Sequence, residues 1–224
     1  EGGPDAEDAL IGRANRAFGL PVDLSRMVIP PYYPSNPIIS HDWHAYLDTV
    51  RLTDAHVGAV LDRLDREEIA ANTLVIFMTD HGISHARGKQ FLYNEGTHIP
   101  FVVRGPNIPK NMVRQDLIEH LDMGAISLAA AGLELPERMQ GRNVFAKGYQ
   151  PREAVFAARD RCDETVDRIR SVRTERFLYI RNFHPQRPHL QPNAYKDGKK
   201  IVQTLRSLHA TRELPPLSES VLFE

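Results

Sequence analysis

The run "TLVIFM" at 73–78, followed at once by "TDHGISHARGKQFLYNEG" at 79–96, limits the folds open to this chain more than any other feature. A short apolar run bounded by polar stretches reads as a strand covered on both faces, as in a parallel sheet between layers of helix. Asp80, His81, His85, Arg87 and Lys89 then follow within a few positions. Charge placed directly after a buried strand lies at the sheet's carboxyl edge, where open α/β folds bind their ligands.

The segments around this strand support an α/β class. Trp43, Tyr46, Leu47, Val50, Val57, Leu61 and Leu64 recur at helical spacing, over about six turns of 3.6 residues. This predicts a long amphipathic helix capped by Ser40 or Asp42, with Trp43 in its core-facing stripe. A helix feeding a buried strand is the second half of a βαβ unit. Upstream, residues 8–18 suit a short helix, and the proline-rich "IPPYYPSNP" at 29–37 suits an extended loop. Downstream, "HIPFVVRGP" (98–106) reads as a second strand. "LIEHLDMGAISLAAAGLELP" (117–136) reads as a brief strand and then a helix, with Asp122 as N-cap and Gly132 as its stop.

A turn-rich stretch at 136–151 changes the texture. Beyond it, 153–159, 167–174 and 176–183 read as three short strands with a tight turn near Thr174–Glu175, which suits an antiparallel sheet. Residues 196–211 form a last helix with Ile201, Leu205 and Leu208 on one face. The expected architecture is part of a large mixed or parallel sheet flanked by helices, plus a small C-terminal antiparallel sheet packed with a helix. The expected domains are 1–150 and 151–224.

Composition excludes several classes. Twenty-eight Lys and Arg balance 29 Asp and Glu, so nothing marks a nucleic-acid footprint or a polybasic membrane patch. The apolar runs fall short of the roughly 18 residues a membrane span needs. Cys162 is the only cysteine, which excludes an internal disulfide. The chain begins at Glu1 and carries no secretory signal pattern, so either such a segment has been removed or the chain is a piece of a longer one.

Residue chemistry narrows the site and leaves choices open. A carboxylate at the position of Asp80 can be a helix cap, a metal ligand or a catalytic base, and His81 beside it can share any of these tasks. Lys89 follows Gly88 and would make a clamp for a tetrahedral oxyanion beside a metal-bound aspartate. It also suits a solvated surface lysine. Arg159, in "ARDR" (158–161) at the end of a predicted strand, is a candidate for reaching a substrate from the C-terminal sheet.

"NTLVIFMTDHG", "RGKQFLYNEGTHIPFVVRGP" and "IEHLDMGAISLAAAGLELPERMQGRNVF" occur in that order. They resemble the second half of the catalytic domain of formylglycine-dependent sulfatases, in the alkaline phosphatase superfamily. "YLDTVRLTDAHVGAVLDRL" resembles the helix before the metal strand. "AARDRCDETVDRIRSVRTERFLYIRNF" resembles the family's small C-terminal sheet, nearest to bacterial sulfatases of the heparan N-sulfatase type. The resemblance implies that Asp80 and His81 ligate a divalent cation, that Lys89 contacts sulfate oxygens and that His85 stands near the leaving group. Calcium is the implied metal, and the imidazole of His81 leaves manganese or magnesium open. The resemblance also implies a periplasmic or secreted location and a sulfated small molecule or glycan as substrate. The proline-rich "PQRPHLQP" (185–192) is expected to be a structured loop, or else to edge such a sugar site.

Family members use a formylglycine made from Cys or Ser in a Cys/Ser-x-Pro-x-Arg motif, and this sequence has none. Cys162 sits in "DRCDET". The family's early pair of metal-binding aspartates is also missing. The resemblance therefore implies the metal and sulfate half of a sulfatase, with the nucleophile supplied by an N-terminal half on the same gene product or a partner chain. Two alternatives stand beside it. One is a phosphonate or phosphodiester monoesterase of the same superfamily, which shares the Asp-His pair. The other is a non-catalytic sulfatase-like domain that binds an anionic glycan.

Overall fold

A computed structural model describes residues 6–20, 22–187 and 190–214. The chain packs into two compact units that interleave in sequence. Among the described residues, the first draws on 6–68, 163–165 and 186–214, and the second on 69–162 and 166–185. The boundary expected at 150/151 falls inside the second unit.

The first unit is helical. α1 (Ala6–Phe18) and α6 (Lys200–Ala210) each pack on α2 (Pro37–Arg66). α2 starts earlier than its apolar stripe suggests. The Asn36 side chain accepts the Ile38 N–H at 2.9 Å, and Pro37 occupies the first turn. Proline is favoured there because its missing N–H has no helical partner at that position. The last proline of the supposed loop therefore begins the helix, and Ser40 and Asp42 are already inside it. Ile39, Trp43 and Ala45 are buried, and Trp43 meets Tyr33 and Tyr46 edge-on. Asp48 is buried too, and accepts from Arg51 at 2.9 Å. The same guanidinium donates to the Leu20 carbonyl and covers the Phe18 ring, which fastens the end of α1. The final helical stretch is two pieces, α5 (Ala194–Asp197) and α6, and α6 buries Ile201, Val202 and Leu205. In the loop before it, Pro188 and His189 lie outside the described residues.

The second unit holds the strands. β1 (Val75–Met78) pairs with β2 (Phe101–Arg104), with Val75 opposite Arg104 and Met78 opposite Phe101. This pairing is antiparallel, where the apolar run predicts parallel neighbours. The physical reason is the connection: 79–100 returns through a folded loop and the short α3 (Asn94–Thr97), with no crossover helix. All four residues of β1 are half-buried. No strand forms at 117–119, and α4 (Leu121–Ala130) begins after His120, so Asp122 sits inside the first turn instead of capping it. Gly132 ends the helix as expected. Its φ is +71°, and the following Leu133 N–H returns to Leu128 at 2.9 Å.

β3 (Val155–Cys162), β4 (Thr165–Arg173) and β5 (Leu178–Asn182) form the expected sheet in that order, and β4 and β5 run antiparallel. The β4–β5 turn closes where Thr174 and Phe177 exchange hydrogen bonds. No helix among the described residues is long and apolar enough to cross a membrane. The fold is α/β, as expected.

Candidate metal and anion site

β1 ends at Met78 and delivers Asp80 and His81 at its carboxyl end. The Asp80 side chain is 87% exposed, and its Oδ1 lies 3.6 Å from His81 Nε2. His81 Nδ1 is 2.7 Å from the Gly82 carbonyl. A carbonyl can only accept, so Nδ1 carries the proton, and in the neutral ring Nε2 keeps its lone pair. This second contact is the kind that orients a metal-binding imidazole.

Residues 82–97 form a packed loop. Its neck closes where the Gly82 N–H reaches the Gly96 carbonyl at 3.0 Å. Inside it, the Lys89 N–H donates to Ile83 at 2.7 Å and the Gly88 N–H to His85 at 3.2 Å. His85 and Ala86 are buried, and Lys89 is half-buried. Gly88 is required because a Cβ there would lie 1.8 Å from the Ile83 oxygen. On the other side of Lys89, Gln90 takes a φ of +83°. Left-handed backbone is costly for a residue with a Cβ and persists where the surroundings enforce it. The backbone on both sides of Lys89 is thus tightly specified.

Two supports escape sequence reading. His120 Nε2 is 2.9 Å from the Thr79 carbonyl, so the start of α4 meets the residue before Asp80. Asp122, two residues on, is fully buried and receives both terminal nitrogens of Arg152, at 2.7 and 2.6 Å. It also accepts the backbone N–H groups of Glu119 and Arg142. Burial alone would raise this carboxyl. The hydrogen bonds from Arg152, Glu119 and Arg142 and the charge of Arg152 outweigh it and hold the pKa below the usual carboxylate range. Arg152 is pushed up in turn, first by its hydrogen bond to Asp122, against the cost of burial. The acid in "EHLD" is visible in the sequence, but its partner 30 residues away is not.

Asp80, His81, His85, Lys89 and Arg159 all belong to the second unit. Asp80 and His81 are side by side, and the loop bearing His85 and Lys89 begins at the next residue. Arg159 is buried in β3, 5.2 Å from the Phe91 ring centroid and 3.8 Å from Asp167. Among the described residues, no group of three or more His, Cys, Asp or Glu side chains is placed to hold a metal. The exposed carboxylate and the oriented imidazole fit a divalent cation as two members of a larger donor set.

The model of the sulfatase family matches residues 4–133, more than half of the chain. That of the N-sulphoglucosamine sulphohydrolase C-terminal region matches 81–200. The chain belongs to the sulfatase family. It is 33% identical to the ulvan-active sulfatase of Formosa agariphila over 189 residues, which cover 83% of this chain and 32% of that protein. It is 29% identical to human N-sulphoglucosamine sulphohydrolase over 176 residues, which cover 72% of this chain and 35% of that protein. The yidJ protein of Bacteroides fragilis shares the fold, with a TM-score of 0.62 at 19% identity over 94% of this chain and 51% of its own. The chain thus spans about a third of the length of these two curated relatives.

Proposed function

We propose that this chain carries the metal- and sulfate-binding half of a hydrolase site that acts on sulfuric esters or sulfamates. The observation that carries the reading is the end of β1, where an exposed Asp80 and an oriented His81 adjoin the constrained loop bearing His85 and Lys89. Membership of the sulfatase family gives that arrangement its chemistry.

A sulfate monoester is a tetrahedral anion with a poor leaving group. Its hydrolysis needs charge stabilised on the non-bridging oxygens, a strong nucleophile and a proton for the departing atom. Asp80 and His81 would hold a divalent cation, together with donors from the rest of the site. Calcium is the metal that the carboxylate and the family resemblance favour, and the softer imidazole of His81 leaves manganese or magnesium open. When bound, the cation supplies Lewis-acid stabilisation of sulfate oxygen. Lys89 places a compact positive charge against the same oxygens. His85 serves the leaving oxygen or nitrogen. The nucleophile is a formylglycine from the N-terminal half of the protein, on the same gene product or a partner chain. Its host is a periplasmic or secreted enzyme, and its substrate a sulfated small molecule or glycan, in line with the sulphoglucosamine named for the human relative.

The test uses the natural gene product. Asp80→Ala is expected to lose bound metal, measured by elemental analysis, with its circular dichroism unchanged. Lys89→Ala is expected to lower turnover of an aryl sulfate about 100-fold, the scale for removing one oxyanion donor. Lys89→Arg should not rescue it, because a planar fork does not replace a point charge. Stoichiometric metal in Asp80→Ala, or wild-type turnover in Lys89→Ala, would overturn the assignment. Faster cleavage of a matched phosphonate than of the sulfate would favour the monoesterase alternative.

A further inference from the structure

The loop that bears Lys89 contains a column of two stacked rings with an arginine at each end. Arg159 lies 5.2 Å from the Phe91 centroid. Phe91 stacks with Tyr93 at 6.2 Å, with 29° between the planes. Arg87 lies 4.3 Å over the Tyr93 ring. Three of the four residues come from the loop itself, and Arg159 comes from β3.

Arg159 is an expensive residue to keep there. Its side chain is 7% exposed, and its Nε and Nη1 make no hydrogen bond among the described residues. Asp167 offsets its charge from 3.8 Å. Burying a guanidinium with unmet donors costs stability that an apolar residue of similar size would not. The buried Asp167 accounts for a positive charge at this position, but not for a guanidinium in preference to an ammonium. What arginine adds is a flat cation that attracts the face of an aromatic ring, and it does so best where water is excluded. The ring it meets belongs to Phe91, two residues from Lys89.

We propose that Arg159 is a positioning residue that holds the Lys89 loop in register through Phe91, instead of touching the substrate itself. The proposal rests on the reading of Lys89 as the sulfate contact. Gly88 and Gln90 fix the local turn around Lys89, but they do not fix where the turn stands. The Arg159–Phe91 contact anchors it to β3. An ammonium displaced by about an ångström from a sulfate oxygen loses much of its effect.

The experiment compares Arg159→Met, Arg159→Lys, Phe91→Leu and Lys89→Ala in the natural gene product. Backbone amide exchange over 85–93 and binding of inorganic sulfate by calorimetry are the two readouts. Arg159→Met and Phe91→Leu are expected to speed exchange in the loop by about tenfold or more while β4 and β5 keep wild-type rates. Both should weaken sulfate binding by about threefold or more. Arg159→Lys should restore only part of either effect, since an ammonium does not lie flat on a ring. Lys89→Ala should lose sulfate binding with normal exchange. Unchanged loop exchange in both Arg159→Met and Phe91→Leu overturns the proposal. So does a uniform rise across β3–β5, which would assign Arg159 to the sheet core. Failure of the wild type to bind sulfate would instead overturn the reading of Lys89, and the exchange data would still decide the positioning role.

Discussion

Asp122 links the support of the site to pH. Its carboxylate takes four hydrogen bonds, two of them from Arg152. Removing one partner of a buried pair leaves the other charge stranded, at a cost of about 3–5 kcal/mol. Asp122→Asn is therefore expected to lose stability on that scale at neutral pH. The folded pKa lies below the unfolded value of about 3.9, so the pair's contribution is fully present above that value and fades as pH falls through the folded one. The gap between wild type and Asp122→Asn should be constant above about pH 5 and close in stronger acid. Denaturant unfolding of both proteins over a pH series checks this, and a gap independent of pH would deny the linkage. This pair was not legible in the sequence, where Asp122 looks like an ordinary cap. Local chemistry offers an acid at a helix start many uses, and only the tertiary return of Arg152 selects one.

At the scale of elements, the sequence was most legible where one residue type carries its own geometry. Gly132 stops α4 because it accepts a positive φ, and the three C-terminal strands alternate clearly enough to be found. Prediction slipped where two signals competed. Four prolines in 29–37 suggest loop, yet Asn36-Pro37 is itself a helix start. Asn36→Ala should cost about 1 kcal/mol, the usual scale for a lost N-cap. Thermal unfolding checks it, and an unshifted midpoint would mean that the packing of Ile39 and Trp43 alone fixes where α2 begins. The pairing of β1 was also hidden. A half-buried apolar run and a fully buried one look alike in sequence, and direction depends on what joins the strands. The candidate site was legible in part. Asp80, His81, His85 and Lys89 stand in one continuous stretch, whereas His120 and the arginine column depend on contacts distant in sequence.

For the whole molecule, the interleaving of the two units matters more than the size of either. The chain passes between them at 68/69, 162/163, 165/166 and 185/186. A polypeptide ending at residue 150 keeps α1, α2, β1, β2 and α4 but loses Arg152, β3–β5 and α6. It should expose the α2 face that α6 covers and strand the Asp122 carboxylate. Such a piece is expected to bind a hydrophobic dye and to lack a sharp unfolding transition. Cooperative melting of 1–150 would show that its share of each unit suffices. The same connectivity bears on inheritance. Any single crossover within this stretch would split at least one unit between two parents, leaving halves that have never been selected to fit. Recombination between relatives should therefore pass this stretch on intact or not at all, so that the loop after β1 shares one ancestry with α1 and α6.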